Sequence, residues 1–176
     1  EFDFMLSNPP YGKSWKTDQD RLGGAKKIID PRFIVTHGGD PDYSMVTRSS
    51  DGQLMFLANL ISKMKQHTAL GSRIASVHNG SSLFTGDAGQ GESNFRRWII
   101  ENDWLEAVVA LPDQLFYNTG ISTYIWVLTN NKQAQRKGKK RIIASYSIGA
   151  RERLSGLLLD HGVKRMMLVE SWQQAL

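Results

Sequence analysis

The sequence contains no cysteine, and that absence removes disulfides, thiolate nucleophiles and cysteine-based metal sites together. A reducing cytoplasm suits such a composition, and a cytoplasmic location is the expectation. No run of 18 apolar residues occurs, so no membrane-spanning helix is expected. The charged-then-apolar segment that marks secretion is missing from the first residues as well. Of the four histidines, His37, His67, His78 and His161, none has a second histidine or a carboxylate at ligand spacing, so no metal is expected. His78 stands beside Asn79-Gly80 and reads as a satisfied histidine at a strand end. No serine lies in a G-x-S-x-G elbow, and nothing else marks a Ser-His-Asp triad.

What remains is a chain of 176 residues, 40% hydrophobic, enough for one domain with a real core. Its net charge of +5 favours an anionic partner, of which nucleic acid is the commonest. The chain opens at Glu1 with residues that already read as a buried strand, and the expectation is a fragment.

Phe2 to Ser7 (FDFMLS) is apolar and β-favouring, and it stops at Asn8-Pro9-Pro10, because two successive prolines cannot continue a sheet ladder. From Gly12 to about Arg48 the chain is polar and rich in glycine and charge, which reads as a long loop with short helical pieces. Ser50-Asp51-Gly52-Gln53 has the form of a capping box, and Leu54, Leu57, Ala58, Ile61 and Met64 follow at helical spacing. Arg73 to Val77 reads as a strand. Glu92 to Asn102 reads as a second helix, with Phe95, Trp98 and Ile99 on one face. Leu105 to Leu111 is an apolar run of the kind found in strands covered on both sides. Pro112 ends it, a loop (DQLFYNTG) follows, and Ile121 to Thr129 and Arg141 to Ile148 read as the last strands. The order β-loop-α-β-α-β-β-β predicts a doubly wound α/β sheet with antiparallel strands at its far end. Residues 1–150 are expected to form the catalytic part, and 151–176 a helical extension of unknown role.

The chemistry-bearing feature is Asn8-Pro9-Pro10-Tyr11, directly after a hydrophobic strand that also carries Asp3. Ligands of open α/β sheets bind at the carboxyl ends of strands. The Asn8 amide and the Pro9 backbone each offer a carbonyl acceptor, and the proline ring stiffens the turn. Two fixed acceptors can take both hydrogens of one amino group. In adenine the N6 lone pair is delocalised into the ring, and directing both N–H bonds to acceptors favours a tetrahedral nitrogen whose lone pair can attack a methyl sulfonium. That is catalysis by orientation and fixed dipoles, without a metal. Tyr11 supplies a face for a base taken out of its stack. As an isolated tetrapeptide the same residues would simply be a rigid strand terminator; their position after FDFMLS favours function.

A [D/N/S]-P-P-[Y/F/W] turn after a strand resembles the catalytic motif of S-adenosylmethionine-dependent amino-methylating enzymes, and residues Asn8 to Tyr11 match it in full. The segments GQLMFLANLISKM, SRIASVHNGSSLF, GDAGQGESNFRRWIIEN and ALPDQLFYNTGISTYIWVLTNNK resemble, in order and spacing, the modification subunit of type I restriction systems, over residues 2 to 148. The resemblance implies the C-terminal half of a Rossmann-like methyltransferase fold and an adenine-specific N6 DNA methyltransferase using S-adenosylmethionine. It implies double-stranded DNA, a specificity subunit and a nuclease-translocase (restriction) subunit as partners. By the same resemblance Asn8, Pro9 and Pro10 form the catalytic turn, Tyr11 stacks on the base, and Phe116 closes on it from the other side; a loop Phe tucked into the core is an equal reading of Phe116.

The family's cofactor segment, a strand, a glycine-rich turn and an acidic residue for the ribose, would precede the motif and is not in this sequence. Gly86-Asp87-Ala88-Gly89-Gln90-Gly91 precedes a helix, but its glycine order is wrong and it follows the motif, so it reads as a surface loop. Weak or no binding of S-adenosylmethionine by this chain alone is therefore expected. Lys13, Lys16, Lys26, Lys27 and Arg32 follow the turn and are candidates for DNA phosphate contact. The basic run Arg136, Lys137, Lys139, Lys140 and Arg141 reads as a solvated hairpin loop. Two alternatives remain at this stage: the same chemistry on an RNA base or a protein glutamine amide, or a non-catalytic DNA-binding or assembly module.

Overall fold

A computed structural model of the chain describes residues 1–112, 114–116, 120–134 and 136–138, and the backbone alone of 135 and 141–144. Five strands form one sheet: β1 (Phe4–Ser7), β4 (Arg73–Asn79), β5 (Leu105–Ala110), β6 (Thr123–Thr129) and β7 (Arg141–Ala144), in the order β1-β4-β6-β5-β7. β1 runs parallel to β4, with Ser7 opposite Ser76, and β5 runs parallel to β7. β6 is antiparallel to both its neighbours, on the side of β4 away from β1. Two helices pack on the sheet, α2 (Gln53–Ile61) between β1 and β4 in sequence, and α4 (Gly91–Glu101) between β4 and β5. Two shorter ones are α1 (Lys16–Arg21) and the single turn α3 (Ser81–Phe84).

The alternation of each strand explains which face is covered. Met5, Ile74, Trp126 and Leu128 point to one face and bury against Leu54, Leu57, Ala58 and Ile61 of α2 and Phe95, Trp98 and Ile99 of α4. The helical stripe is buried as its spacing predicts, and Met64 joins the core although the helix itself stops at Ile61. The opposite face of β1 carries Phe4 and Leu6, which are 67% and 86% exposed. β5 is largely buried, and a bulge between Leu105 and Ala107 places the Glu106 carboxylate inside, where Arg73 and Arg136 pair with it.

Three elements differ from the reading of the sequence. The stretch read as loop contains a hairpin, β2 (Ile34–His37) and β3 (Asp40–Ser44), turned by Gly38-Gly39, both at positive φ. Its alternation is masked by polar residues because its outer side is solvated; Tyr43 and the following Met45 are buried in the core, and Val35 packs against it half-buried. The box at the head of α2 is displaced. Gly52 occupies the N-cap position and contributes no side-chain bond, while Asp51 accepts from the Gln53 backbone N–H at 3.2 Å. The third is His78, which lies within β4, fully buried, and not at its end. Arg141 to Ala144 of the last expected strand are described; 145–148 and the expected extension 151–176 lie outside the described residues.

Candidate active site

β1 and β4 are parallel neighbours, so the segments leaving Ser7 and Asn79 emerge side by side at the carboxyl edge of the sheet. Asn8-Pro9-Pro10-Tyr11 is the first of these. Pro9 is buried and anchors the turn, Asn8 is exposed, and Tyr11 is half-buried. Among the described residues no group bonds the Asn8 amide or the Tyr11 hydroxyl, and no ring stacks on Tyr11. An amide and an aromatic face are thus both available at the place where α/β sheets bind ligands.

The far end of the turn is pinned. Gly12, at φ +69°, donates its N–H to Asp51 Oδ1 at 3.3 Å. The Trp15 backbone N–H donates to the Ser49 carbonyl at 2.8 Å, and its indole Nε1–H to the Arg48 carbonyl at 2.9 Å. The Trp15 ring lies so close to Gly52 that a Cβ there would sit 3.0 Å from Cδ1. Residues 12–15 therefore dock on the segment that opens α2.

Beneath this docked segment lies a polar network that the sequence did not single out. Gln53 Nε2 donates among Asp51 Oδ2 (2.6 Å), Asn79 Oδ1 (2.7 Å) and Ser81 Oγ (2.7 Å). Its Oε1 accepts from the Asn79 backbone N–H at 3.1 Å and stands 3.2 Å from His78 Nδ1. Ser81 Oγ can donate to Asp51 Oδ2 at 2.7 Å or Asn79 Oδ1 at 2.6 Å. Burial pushes the His78 imidazole down to about 4, so it is neutral near pH 7; its Nε2 has no partner among the described residues, and its ring meets Trp126 edge-on. The signal that could have found this network was an Asp-x-Gln pair at a helix start combined with Asn-x-Ser at a strand end.

The remaining expected residues fall in two groups. Lys13, Lys16, Lys26 and Lys27 are exposed, and none makes an ion pair among the described residues. Arg32 is different: both Asp30 oxygens hold it, at 2.9 and 2.5 Å, with Asn59 Oδ1 at 3.0 Å, and the same contact draws the Asp30 carboxyl down to about 2. It braces the loop rather than offering a free cation. Phe116 is half-buried in the segment leaving β5, at the same edge as the turn, without a ring contact to Tyr11. In the basic run Arg136 is occupied by Glu106, Lys137 is exposed, and Lys139, Lys140 and the Arg141 side chain lie outside the described residues. Asp3 sits at the opposite end of β1 from the turn, bonded to Lys65 at 2.8 Å. The helix start after Gly86–Gly91 is filled by the protein itself: Glu92 is buried there and accepts from the Arg48 backbone N–H at 3.1 Å.

The model of the N-6 DNA methylase family matches residues 1–171. The chain belongs to that family. Among curated relatives, this N-6 DNA methylase chain is 28% identical over 167 residues to the methylase subunit of the type I restriction enzyme MjaIX of Methanocaldococcus jannaschii. That match covers 94% of the chain and 27% of the relative. It is 30% identical over 150 residues to the HindI methylase subunit of Haemophilus influenzae, covering 85% of the chain and 28% of the relative. The chain thus spans about a quarter of the length of these relatives. Its fold is that of solved type I methyltransferase subunits. One from Streptococcus thermophilus superposes with a TM-score of 0.56 at 23% identity, over 94% of this chain and 33% of that one. A modification subunit of a type I enzyme from Vibrio vulnificus gives 0.52 at 17%, over 94% and 32%.

Proposed function

We propose that the full-length protein is the modification subunit of a type I restriction system and methylates adenine N6 in double-stranded DNA. One observation carries the reading: an unengaged Asn8 amide, next to a buried Pro9, at the carboxyl edge of two parallel strands in a member of the N-6 DNA methylase family. On this reading the Asn8 side-chain carbonyl and the Pro9 backbone carbonyl each accept one hydrogen of the adenine amino group. Tyr11 stacks on the extruded base, and Phe116 approaches from the neighbouring loop. The acceptors hold the nitrogen lone pair outward; a methyl sulfonium would supply the methyl, its S–C bond breaking to a neutral thioether as the N–C bond forms, and the excess proton on nitrogen would leave along the hydrogen bond to Asn8 or Pro9 into solvent. The gain is one of orientation and fixed dipoles, since the acceptors are set before the base arrives.

S-adenosylmethionine is the donor this chemistry calls for. The described residues do not fit it. The helix start that follows a glycine-bearing turn is already occupied by Glu92, and no buried carboxylate at the carboxyl edge is free for a ribose, because Asp51 is engaged by neutral donors. On our reading its cradle belongs to the rest of the full-length protein. Lys13, Lys16, Lys26 and Lys27 would contact phosphates beside the extruded nucleotide, and a specificity subunit would choose the site while a restriction subunit completes the complex. RNA or glutamine substrates gain no support from any contact in the site.

The test is methyl transfer to duplex DNA by the full-length protein with its specificity subunit. Asn8→Ala should lower kcat by about 100-fold or more, the scale of losing one preorganised partner of a transition state. Activity retained in that variant would remove the mechanism.

A further inference from the structure

We infer that Asp51 is a positioning residue for the reaction: its carboxylate sets the geometry of the Asn8–Tyr11 turn from behind. The inference rests on the proposed methyl transfer. Asp51 is 8% exposed, and no cation lies within ion-pair distance of it among the described residues. Its four side-chain partners are all neutral. Oδ1 accepts the backbone N–H groups of Gly12 (3.3 Å) and Gln53 (3.2 Å), and Oδ2 accepts from Gln53 Nε2 (2.6 Å) and, in one of its two hydroxyl orientations, from Ser81 Oγ (2.7 Å).

Burying a carboxylate without a counter-charge is unfavourable unless its lone pairs are fully used, so such a group persists where it fixes something. What this one fixes is specific. Gly12 is the residue after Tyr11, and its N–H is the first point at which the turn is tied down again after leaving β1. Ser81, and Asn79 through Gln53, tie the same carboxylate to the end of β4. One side chain therefore joins the exit of the catalytic turn to the neighbouring strand end and to the head of α2. Pro9 fixes the entry and Asp51 fixes the exit. Held only at the entry, the Pro9 carbonyl and the Tyr11 ring would share no fixed frame with the Asn8 amide. A displacement of about 1 Å between reacting groups can cost on the order of 100-fold in rate.

The experiment uses the full-length protein with its specificity subunit, an unmodified duplex for the methyl-transfer kinetics, and a second duplex with 2-aminopurine at the target position for fluorescence on binding alone. Its readouts are kcat, KM for DNA, thermal midpoint and fluorescence on binding. Asp51→Ala and Asp51→Asn should lower kcat by roughly 10- to 100-fold, with KM for DNA changed by less than about threefold. The base should still be extruded, with fluorescence higher than in wild type because Tyr11 no longer quenches it. Ser81→Ala cuts one bond to the other oxygen of the same carboxylate but leaves Gly12 held on Oδ1, and should retain most of kcat while lowering the thermal midpoint. Equal losses of kcat in Ser81→Ala and Asp51→Ala, tracking the thermal midpoint, would make Asp51 merely structural and overturn the inference. Full activity in Asp51→Ala would overturn it too. Asn8→Ala separates the two proposals: if it is inactive while Asp51→Ala is active, only the role of Asp51 falls; if it is active, the mechanism falls as well.

Discussion

Among the described residues nothing bonds the Asn8 amide or stacks on Tyr11, and that separates their contribution to activity from their contribution to folding. Replacing an exposed, unbonded side chain usually changes stability by no more than about 0.5 kcal/mol. Asn8→Ala should therefore carry its loss of about 100-fold or more in kcat with an unchanged urea midpoint. Tyr11→Phe keeps the ring and should be nearly as active as wild type, whereas Tyr11→Ala should lose the ~1–3 kcal/mol that stacking on a base provides, measured as binding of DNA with an abasic site opposite the target. His78 makes the opposite case, a residue with a stability signature. Its folded value is about 4 because burial disfavours the cation, and an unfolded histidine titrates near ~6.5. Above that unfolded value both states are neutral and the full stability is present. As pH falls from 6.5 toward 4 the unfolded chain takes up a proton that the native chain refuses, so stability declines, by about 3 kcal/mol once pH is below the folded value. Urea unfolding of the full-length protein at pH 7 and pH 5 should show the decline, and His78→Gln should flatten it.

At the level of elements, the parts that could be read from the sequence are those whose signal is local. The stripe Leu54-Leu57-Ala58-Ile61 is a helix because its spacing permits one buried face, and β1 ends where the two prolines deny it further ladder bonds. Leu57 is wholly buried in that stripe, and Leu57→Ala should cost about 2–5 kcal/mol in chemical denaturation. What stayed hidden depends on partners distant in sequence. The β2–β3 hairpin is polar outside and earns its place through Tyr43 and Met45 and through His37, whose Nε2 lies 2.6 Å from Glu101 at the end of α4. Asp51 looked like one member of a helix cap; its bond to Gly12 spans 39 residues and leaves no local trace. Gly91 looked like part of a loose surface loop. In fact a Cβ there would fall 1.9 Å from the Val46 carbonyl oxygen, so α4 and the strand exit of the hairpin touch backbone to backbone. Gly91→Ala should lie at or beyond the upper end of the ~1–3 kcal/mol that overpacking costs, seen as a lowered thermal midpoint.

For the whole molecule, charge and exposed surface carry the argument. Four exposed lysines that follow the turn in sequence make no ion pair among the described residues, and each phosphate contact adds about 0.9 to the slope of log affinity against log salt. Changing Lys13, Lys16, Lys26 and Lys27 together to Ala should reduce that slope by roughly 2–4 in titrations of duplex DNA with the full-length enzyme. The 176-residue chain by itself should release no measurable heat with S-adenosylmethionine in calorimetry, because the helix start after Gly86–Gly91 is filled by Glu92. Tight binding would overturn that expectation.

The paired prolines have a last consequence, for discrimination among bases. Positions 9 and 10 have no amide hydrogen, so the turn can receive hydrogen bonds there but cannot give them. A guanine or thymine flipped toward it would bring a keto oxygen against carbonyl oxygens, lone pair facing lone pair, with no backbone N–H at positions 9 and 10 to bridge them. Rejection of those two bases would then follow from the missing N–H groups of the backbone, before any side chain had been consulted.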